Sequence, residues 1–190
     1  MSTRRKSSSG RASRSTEPNR PSPRLRNLAW RVPRPAPLPH TEAELERLLA
    51  MARQHQRSGT TVSIGHSRDA CSVAAAEAFA SAWRARGHRV SAVVDWPEDA
   101  ASWLRQAERL TAGSPDVWVF AAAVEGFVQL SRRLVHSTGW AARRSLAFAS
   151  LADPLCAELA GPGVLDGLRG ATKTGGSWGF SGREVIFTDD

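Results

Sequence analysis

A parallel α/β sheet flanked by helices, preceded by a disordered basic tail, is the fold this sequence predicts. Three observations predict it. Short apolar runs alternate with longer segments of helical period from Thr60 to Leu159. Glycines punctuate that alternation, as at Gly59 and Gly87. The charge is divided sharply: residues 1–39 hold ten basic side chains against the single acid Glu17, a net of +9, while the rest carries 16 basic and 17 acidic groups, a net of −1. The total of +8 therefore describes a tail and not a fold.

The tail, residues 1–39, is rich in Ser, Arg and Pro. Pro21, Pro23, Pro33, Pro35, Pro37 and Pro39 prevent regular hydrogen-bonded structure, and the like charges repel. Its plainer reading is a solvated extension with weak, salt-sensitive attraction to polyanions. A dedicated nucleic-acid arm would interleave aromatic residues for stacking, and only Trp30 is there.

An amphipathic helix follows within residues 40–58. Thr41 and Glu44 form an S/T-x-x-E capping box, and Leu45, Leu48, Leu49 and Ala52 recur at helical spacing. Residues 59–190 form the α/β lobe. Thr61–Ile64 reads as a strand and Ser72–Arg86 as a helix, with Val73, Ala76, Phe79, Ala80 and Trp83 on one face. Val90–Val94 is the second strand. A helix over Pro97–Leu110 is expected next, with Pro97 in its first turn. Val117–Phe120 is a continuous apolar run, as suits a strand covered on both faces. A helix over Glu125–His136, a strand over Leu146–Ala149 and a short helix over Asp153–Leu159 follow. Strands alternating with helices of this length imply right-handed crossovers. Glycines then break the segment from Gly161 to Gly176, and Arg183–Thr188 reads as a last strand, paired with Leu168–Thr172 or with a neighbour.

The bulk numbers narrow the function classes. About 150 residues beyond the tail suffice for one domain with a core. Cys71 and Cys156 form no CxxC pair, and the five His show no metal-ligand spacing, so no metal is expected. No Gly-x-Gly-x-x-Gly follows the first strand, and Gly170-Ala171-Thr172-Lys173-Thr174 departs from a P-loop, so no cofactor is expected either. No apolar run is long enough to span a membrane. Arg4-Arg5 precedes no apolar stretch, so the chain as written is expected in the cytoplasm, and in an exported setting if its start is misassigned. Tyr is absent while Trp occurs seven times, an imbalance that suggests no function.

Three segments carry a resemblance. The first is Ile64-Gly65-His66-Ser67-Arg68-Asp69-Ala70-Cys71 with the small-residue helix to Gly87. The second is Pro115-Asp116-Val117-Trp118-Val119-Phe120-Ala121-Ala122, with the later turn His136-Ser137-Thr138-Gly139-Trp140. The third is Leu159-Ala160-Gly161-Pro162 through Asp166-Gly167-Leu168-Arg169-Gly170-Ala171-Thr172. In order and spacing, Val62 to Thr174 resembles the C-terminal lobe of a type I periplasmic-binding-protein fold, the solute receptors of ABC transporters that include branched-chain amino acid binders. That resemblance implies a non-catalytic module for a small polar solute, amino acid or amide-like. It also implies a second lobe, where this chain has one helix and the tail ahead of Thr60. A partner chain or second copy across the open cleft face would take that place. The family's acidic residue after the first strand is His66 here, its aromatic-Gly pair is Ala70-Cys71, an aromatic after the third strand is Ala123-Val124, and its amine-binding acid falls at Ser150-Leu151. Most polar anchors for an amino acid are thus replaced.

Ligands of open parallel sheets sit at the carboxyl ends of the strands. The candidate ligand-binding residues are therefore Ser67, Arg68 and Asp69; Asp95 and Trp96; Ala122 and Glu125; and Ser150 and Asp153. Arg68 suits a carboxylate or phosphate, although a local pair with Asp69 is the blander expectation, as is Asp69 serving as a helix cap. Two other function classes remain in view. One is a polyanion- or nucleic-acid-associated protein acting through its tail. The other is a small flavodoxin-like enzyme using Cys71 near a helix N-terminus with His66 close in sequence, for which no orienting third group is identifiable.

Overall fold

The computed structural model describes residues 36–54 and 60–188. Most of the tail, with Trp30, and the expected helix stop at Gly59 lie outside the described residues. Among the described residues, five α-helices and seven strands follow in order: α1 Glu42–Gln54, β1 Thr61–Ser67, α2 Ala70–Ala85, β2 Arg89–Trp96, α3 Leu104–Thr111, β3 Val117–Ala121, α4 Val124–Ser137, β4 Ser145–Ala147, α5 Pro154–Ala160, β5 Arg169–Ala171, β6 Ser177–Ser181 and β7 Glu184–Thr188. Single 3₁₀ turns at Ala142–Arg144 and Ala149–Leu151 flank β4.

The strands form one sheet in the order β2-β1-β3-β4-β5-β6-β7. Neighbours from β2 to β5 pair in parallel, and β5-β6 and β6-β7 in antiparallel fashion. This is the expected parallel sheet, extended by an antiparallel hairpin. Alternation along β3 divides the core in two. Val117, Val119 and Ala121 join Leu48, Leu49, Phe79 and Trp83 of α1 and α2. Trp118 and Phe120 join α3, α4 and α5 on the opposite face.

The N-terminus of α1 follows the expected capping box. The Glu44 amide donates to Thr41 Oγ1 at 3.1 Å, and the Thr41 amide donates to Glu44 Oε2 at 3.3 Å. Both orphan donors are satisfied reciprocally. Asp69 caps α2, accepting from the Ser72 amide at 2.9 Å.

The structure corrects three expectations. The helix expected over Pro97–Leu110 begins only at Leu104, so Pro97 lies outside it, in the irregular loop before α3. The first two strands run further than expected, which carries His66 and Ser67 into β1 and Asp95 and Trp96 into β2. The last strand pairs with β6, a strand the glycine-rich segment concealed.

The tryptophans have a structural explanation. Trp83, Trp96, Trp103, Trp118, Trp140 and Trp178 are all at most 6% exposed. All but Trp83 pack in the core on the α3, α4 and α5 face of the sheet, where their large rings supply much of its apolar volume. The Trp118 indole donates to the Leu110 carbonyl at 2.9 Å and that of Trp178 to Ala171 at 3.0 Å. Trp96 crosses under β1 at Gly65, where a Cβ would come within 2.7 Å of its ring.

Candidate functional site

The chain order reverses between β1 and β3, the usual place for a ligand crevice in such a sheet. Here that crevice is bridged. The Ala123 amide donates to Ser67 Oγ at 3.0 Å, and Ser67 is fully buried. The opening is displaced to the ends of β3 and β4. A cleft of about 250 Å³ lies there, lined by Glu125, Ser150, Asp153 and Lys173 with Ala123 and Ala149.

Each polar group is placed by a local feature. Glu125 lies in the first turn of α4. Ser150 lies in the 3₁₀ turn after β4. Asp153 caps α5, accepting from the Leu155 amide at 2.9 Å. Lys173 follows β5 and is held to the residues ahead of α1: its Nζ donates to the Pro39 carbonyl at 2.5 Å, and Thr41 Oγ1 donates to the Lys173 carbonyl at 2.6 Å. The His40 ring meets Phe148 edge-on at 6.0 Å. Ala36, Pro37 and Leu38 thereby form one wall of the cleft. These three belong to the segment read as tail; they carry no regular structure, and Ala36 and Leu38 are exposed.

Glu44 fixes this arrangement from beneath. It is 1% exposed, and its Oε1 accepts from the Ala149 amide at 2.5 Å. A carboxylate of α1 thus ties that helix to the turn that carries Ser150.

The other predicted site residues lie elsewhere along the strand ends. Arg68 turns to Asp95 across the β1–β2 edge at 2.6 Å instead of pairing with Asp69, and both partners are well exposed. Hydrogen bonding to Arg68 holds the Asp95 carboxyl below its ordinary range against the opposing effect of burial. Trp96 and Ala122 are fully buried in the core, and neither reaches the cleft. His66 Nδ1 donates to the adjacent Ser67 carbonyl at 2.8 Å. Cys71 lines a small cavity with His40, Ser72 and Ser150.

Glu98 was not among the residues the sequence singled out. It follows β2, and its Oε2 accepts from the Gly126 amide of α4 at 2.6 Å. Burial pushes its carboxyl above the ordinary value; the Ser67 hydroxyl and the Gly126 amide oppose that shift, and the charges of Glu125 and Asp69 add to it. Gly126 was the available signal: a Cβ there would come within 2.8 Å of Glu98 Oε2 and 2.7 Å of Trp96 Nε1. Lys173 was visible in sequence only as part of a failed P-loop.

Among the described residues, no group of three or more His, Cys, Asp or Glu is placed to hold a metal ion. No helix among them is long and apolar enough to cross a membrane.

No protein-family model and no curated protein matches the chain. Solved structures do match. A substrate-binding periplasmic protein from Ralstonia solanacearum is 19% identical with a TM-score of 0.58, over 71% of this chain and 37% of its own. A protein described as a branched-chain amino acid ABC transporter, from Rhodospirillum rubrum, is 20% identical with a TM-score of 0.56, over 68% of this chain and 36% of its own. A solute-binding protein of an ABC transporter from Rhodopseudomonas palustris HaA2, in complex with p-hydroxybenzoic acid, is 17% identical with a TM-score of 0.52, over 64% of this chain and 33% of its own. This chain therefore has the fold of one lobe of the type I periplasmic binding proteins and spans about a third of the length of these receptors.

Proposed function

We propose that this chain is a non-catalytic solute-binding module, a repurposed receptor lobe. It takes a small polar solute in the cleft between Glu125, Ser150, Asp153 and Lys173. The observation that carries this reading is the cleft itself: about 250 Å³ at the carboxyl ends of β3 and β4, with side chains of both charge signs on its walls. A pocket that encloses a ligand by itself usually measures about 300–1,000 Å³. This one is smaller and open, as half of a two-sided site should be, so a partner chain closing over the strand ends would raise its affinity. Lys173 and Asp153, both lining the cleft, favour a dipolar solute of amino acid or amide size. Ser67, Arg68, Asp69, Asp95, Trp96 and Ala122, expected from sequence to bind the solute, lie outside the lining of this cleft. The periplasmic setting in the description of the Ralstonia protein favours the exported location over the cytoplasmic one expected from sequence.

The test is a thermal-unfolding screen of the full chain against amino acids, small amides, sugars and nucleotides. A ligand that binds only the folded state raises the midpoint with its concentration. The expected result is such a rise for a dipolar solute, lost in Asp153→Ala. A cooperative melt that no compound shifts would overturn the reading.

A second reading rests on the net +9 of residues 1–39. It makes the chain a polyanion-associated protein. DNA binding whose log–log salt slope collapses on deleting the tail would favour it.

A further inference from the structure

We infer that β7 is a pairing edge for a second copy of this chain, which joins two seven-stranded sheets into one across a two-fold axis at Ile186. The proposal is independent of the cleft reading.

β7 ends the sheet, and among the described residues its outer side has no strand neighbour. The direction of its free groups follows from the hydrogen bonds of β6. The Phe180 amide donates to the Leu168 carbonyl at 2.9 Å, and the Phe180 carbonyl accepts from Gly167 at 3.1 Å. Both Phe180 groups therefore face away from β7, and Val185, its partner in register, is left with outward-facing amide and carbonyl. Phe187, two residues on, repeats this arrangement. Glu184, Ile186 and Thr188 point their backbone groups inward to β6.

Edge strands normally carry a device that blocks pairing: a proline, a lysine, a bulge or a cover. The sequence Glu184-Val185-Ile186-Phe187-Thr188 has no proline or lysine, and its register with β6 is unbroken. Instead it exposes Ile186 at 53% and Phe187 at 59%. Both are strand-favouring side chains that lose this exposure when another strand lies alongside.

The sequence is complementary to itself when antiparallel. A two-fold axis at Ile186 sets Ile186 opposite Ile186 of the second copy, as a pair without mutual hydrogen bonds. Val185 then faces Phe187 in both directions, and these are the residues whose backbone groups are free. The same register sets Glu184 opposite Thr188. Within β7 no like charges face each other in this register. An isologous two-fold contact needs this kind of self-matching. Slipping the register by one residue sets inward-facing groups opposite outward-facing ones and leaves the ladder unmade.

The contact is small against a standard interface of about 1,600 Å², so the dimer should dissociate on dilution. Sedimentation velocity of the full chain from micromolar to near-millimolar concentration is the first arm. Reversible dimerisation is expected for the natural sequence. Ile186→Lys sets two ammonium groups against each other, and Val185→Pro removes an outward amide without touching β6; both should stay monomeric with an unchanged far-ultraviolet spectrum. The second arm does not depend on those variants folding. In a Cys71→Ser background, Ile186→Cys should form a disulfide-linked dimer under mild oxidation, because Cα atoms across a non-hydrogen-bonded pair lie about 4.5 Å apart. Val185→Cys should not. A natural chain that stays monomeric throughout, a dimer that survives both blocking substitutions, or linkage as ready through Val185→Cys as through Ile186→Cys would each overturn the proposal.

Discussion

The parallel strands β1–β4 and the antiparallel hairpin β6–β7 share a sheet, with β5 joining the two, but are held in different ways. All five residues of β3 are buried, and helices cover both of its faces. No residue of β7 is fully buried, and two of its apolar side chains stand in solvent. The parallel strands gain stability mainly from side chains packed on two sides. The hairpin depends on its backbone ladder and on Trp178 and Phe180, which turn their rings into the α5 side of the core. A parallel sheet needs cover on both faces, whereas an antiparallel edge can remain open on one.

Phenylalanine truncation should separate the two regions most clearly. Phe120 packs against Trp96, Phe127 and Trp140 with no exposure. Phe120→Ala is expected to cost about 3–5 kcal/mol in urea unfolding. Phe187→Ala should stay within about 0.5 kcal/mol for the monomer. Equal losses would mean that the hairpin is packed as tightly as the centre.

Gly170→Ala probes the seam between the regions. A Cβ there would come within 2.1 Å of the Ala147 carbonyl oxygen and 2.3 Å of the Trp178 ring. Neither a strand backbone nor a buried indole yields cheaply, so a loss of about 1–3 kcal/mol or more is expected. Amides of β5 and β6 should lose hydrogen-exchange protection before those of β1 and β3.

Thr41→Ala removes one half of the α1 capping box and the hydroxyl that holds Lys173. A loss of about 1 kcal/mol is expected, accompanied by faster exchange at the Glu44 amide.

The pH response should be smaller and should run in opposite directions at two carboxyls. The folded state raises the Glu98 pKa above its ordinary 4.5, so its ionisation costs folding stability as pH rises from that value through the folded one. Glu98→Gln should flatten this decline while keeping an oxygen for the Gly126 amide. Asp116 is lowered below its ordinary 3.8, chiefly by the Thr61 amide, against the opposing effect of burial and with help from the Thr61 hydroxyl and Arg144, so its contribution is present above that value and is lost as pH falls through the folded one. Unfolding midpoints measured from pH 3 to pH 8 in about 0.15 M salt should show both trends. A Glu98→Gln chain with the same pH profile as the natural one would remove the first.

The α/β order, the parallel sheet, the α1 capping box and the Asp69 cap were all legible in the sequence, because each depends on residues close together in the chain. Apolar period and cap spacing are local quantities, and β3 declared itself as a fully apolar run. The tertiary structure decided the rest. The helix expected from Pro97 was delayed to Leu104; among the contacts of that intervening loop are those that place Glu98 against the Gly126 amide and Trp103 against Gln129. β6 was hidden because Gly179 and Ser181 weaken a strand signal that only pairing with β5 and β7 restores. The strand-end rule brought Glu125, Ser150 and Asp153 to one cleft but could not show that Trp96 turns into the core, since a strand's side chains alternate and the end of β2 was placed two residues early, nor that Ala122, just past β3, is buried. Lys173, His40 and Glu44 meet over a sequence separation that no local pattern encodes. Closing such long loops is favoured only by contacts that exist once the whole sheet has formed.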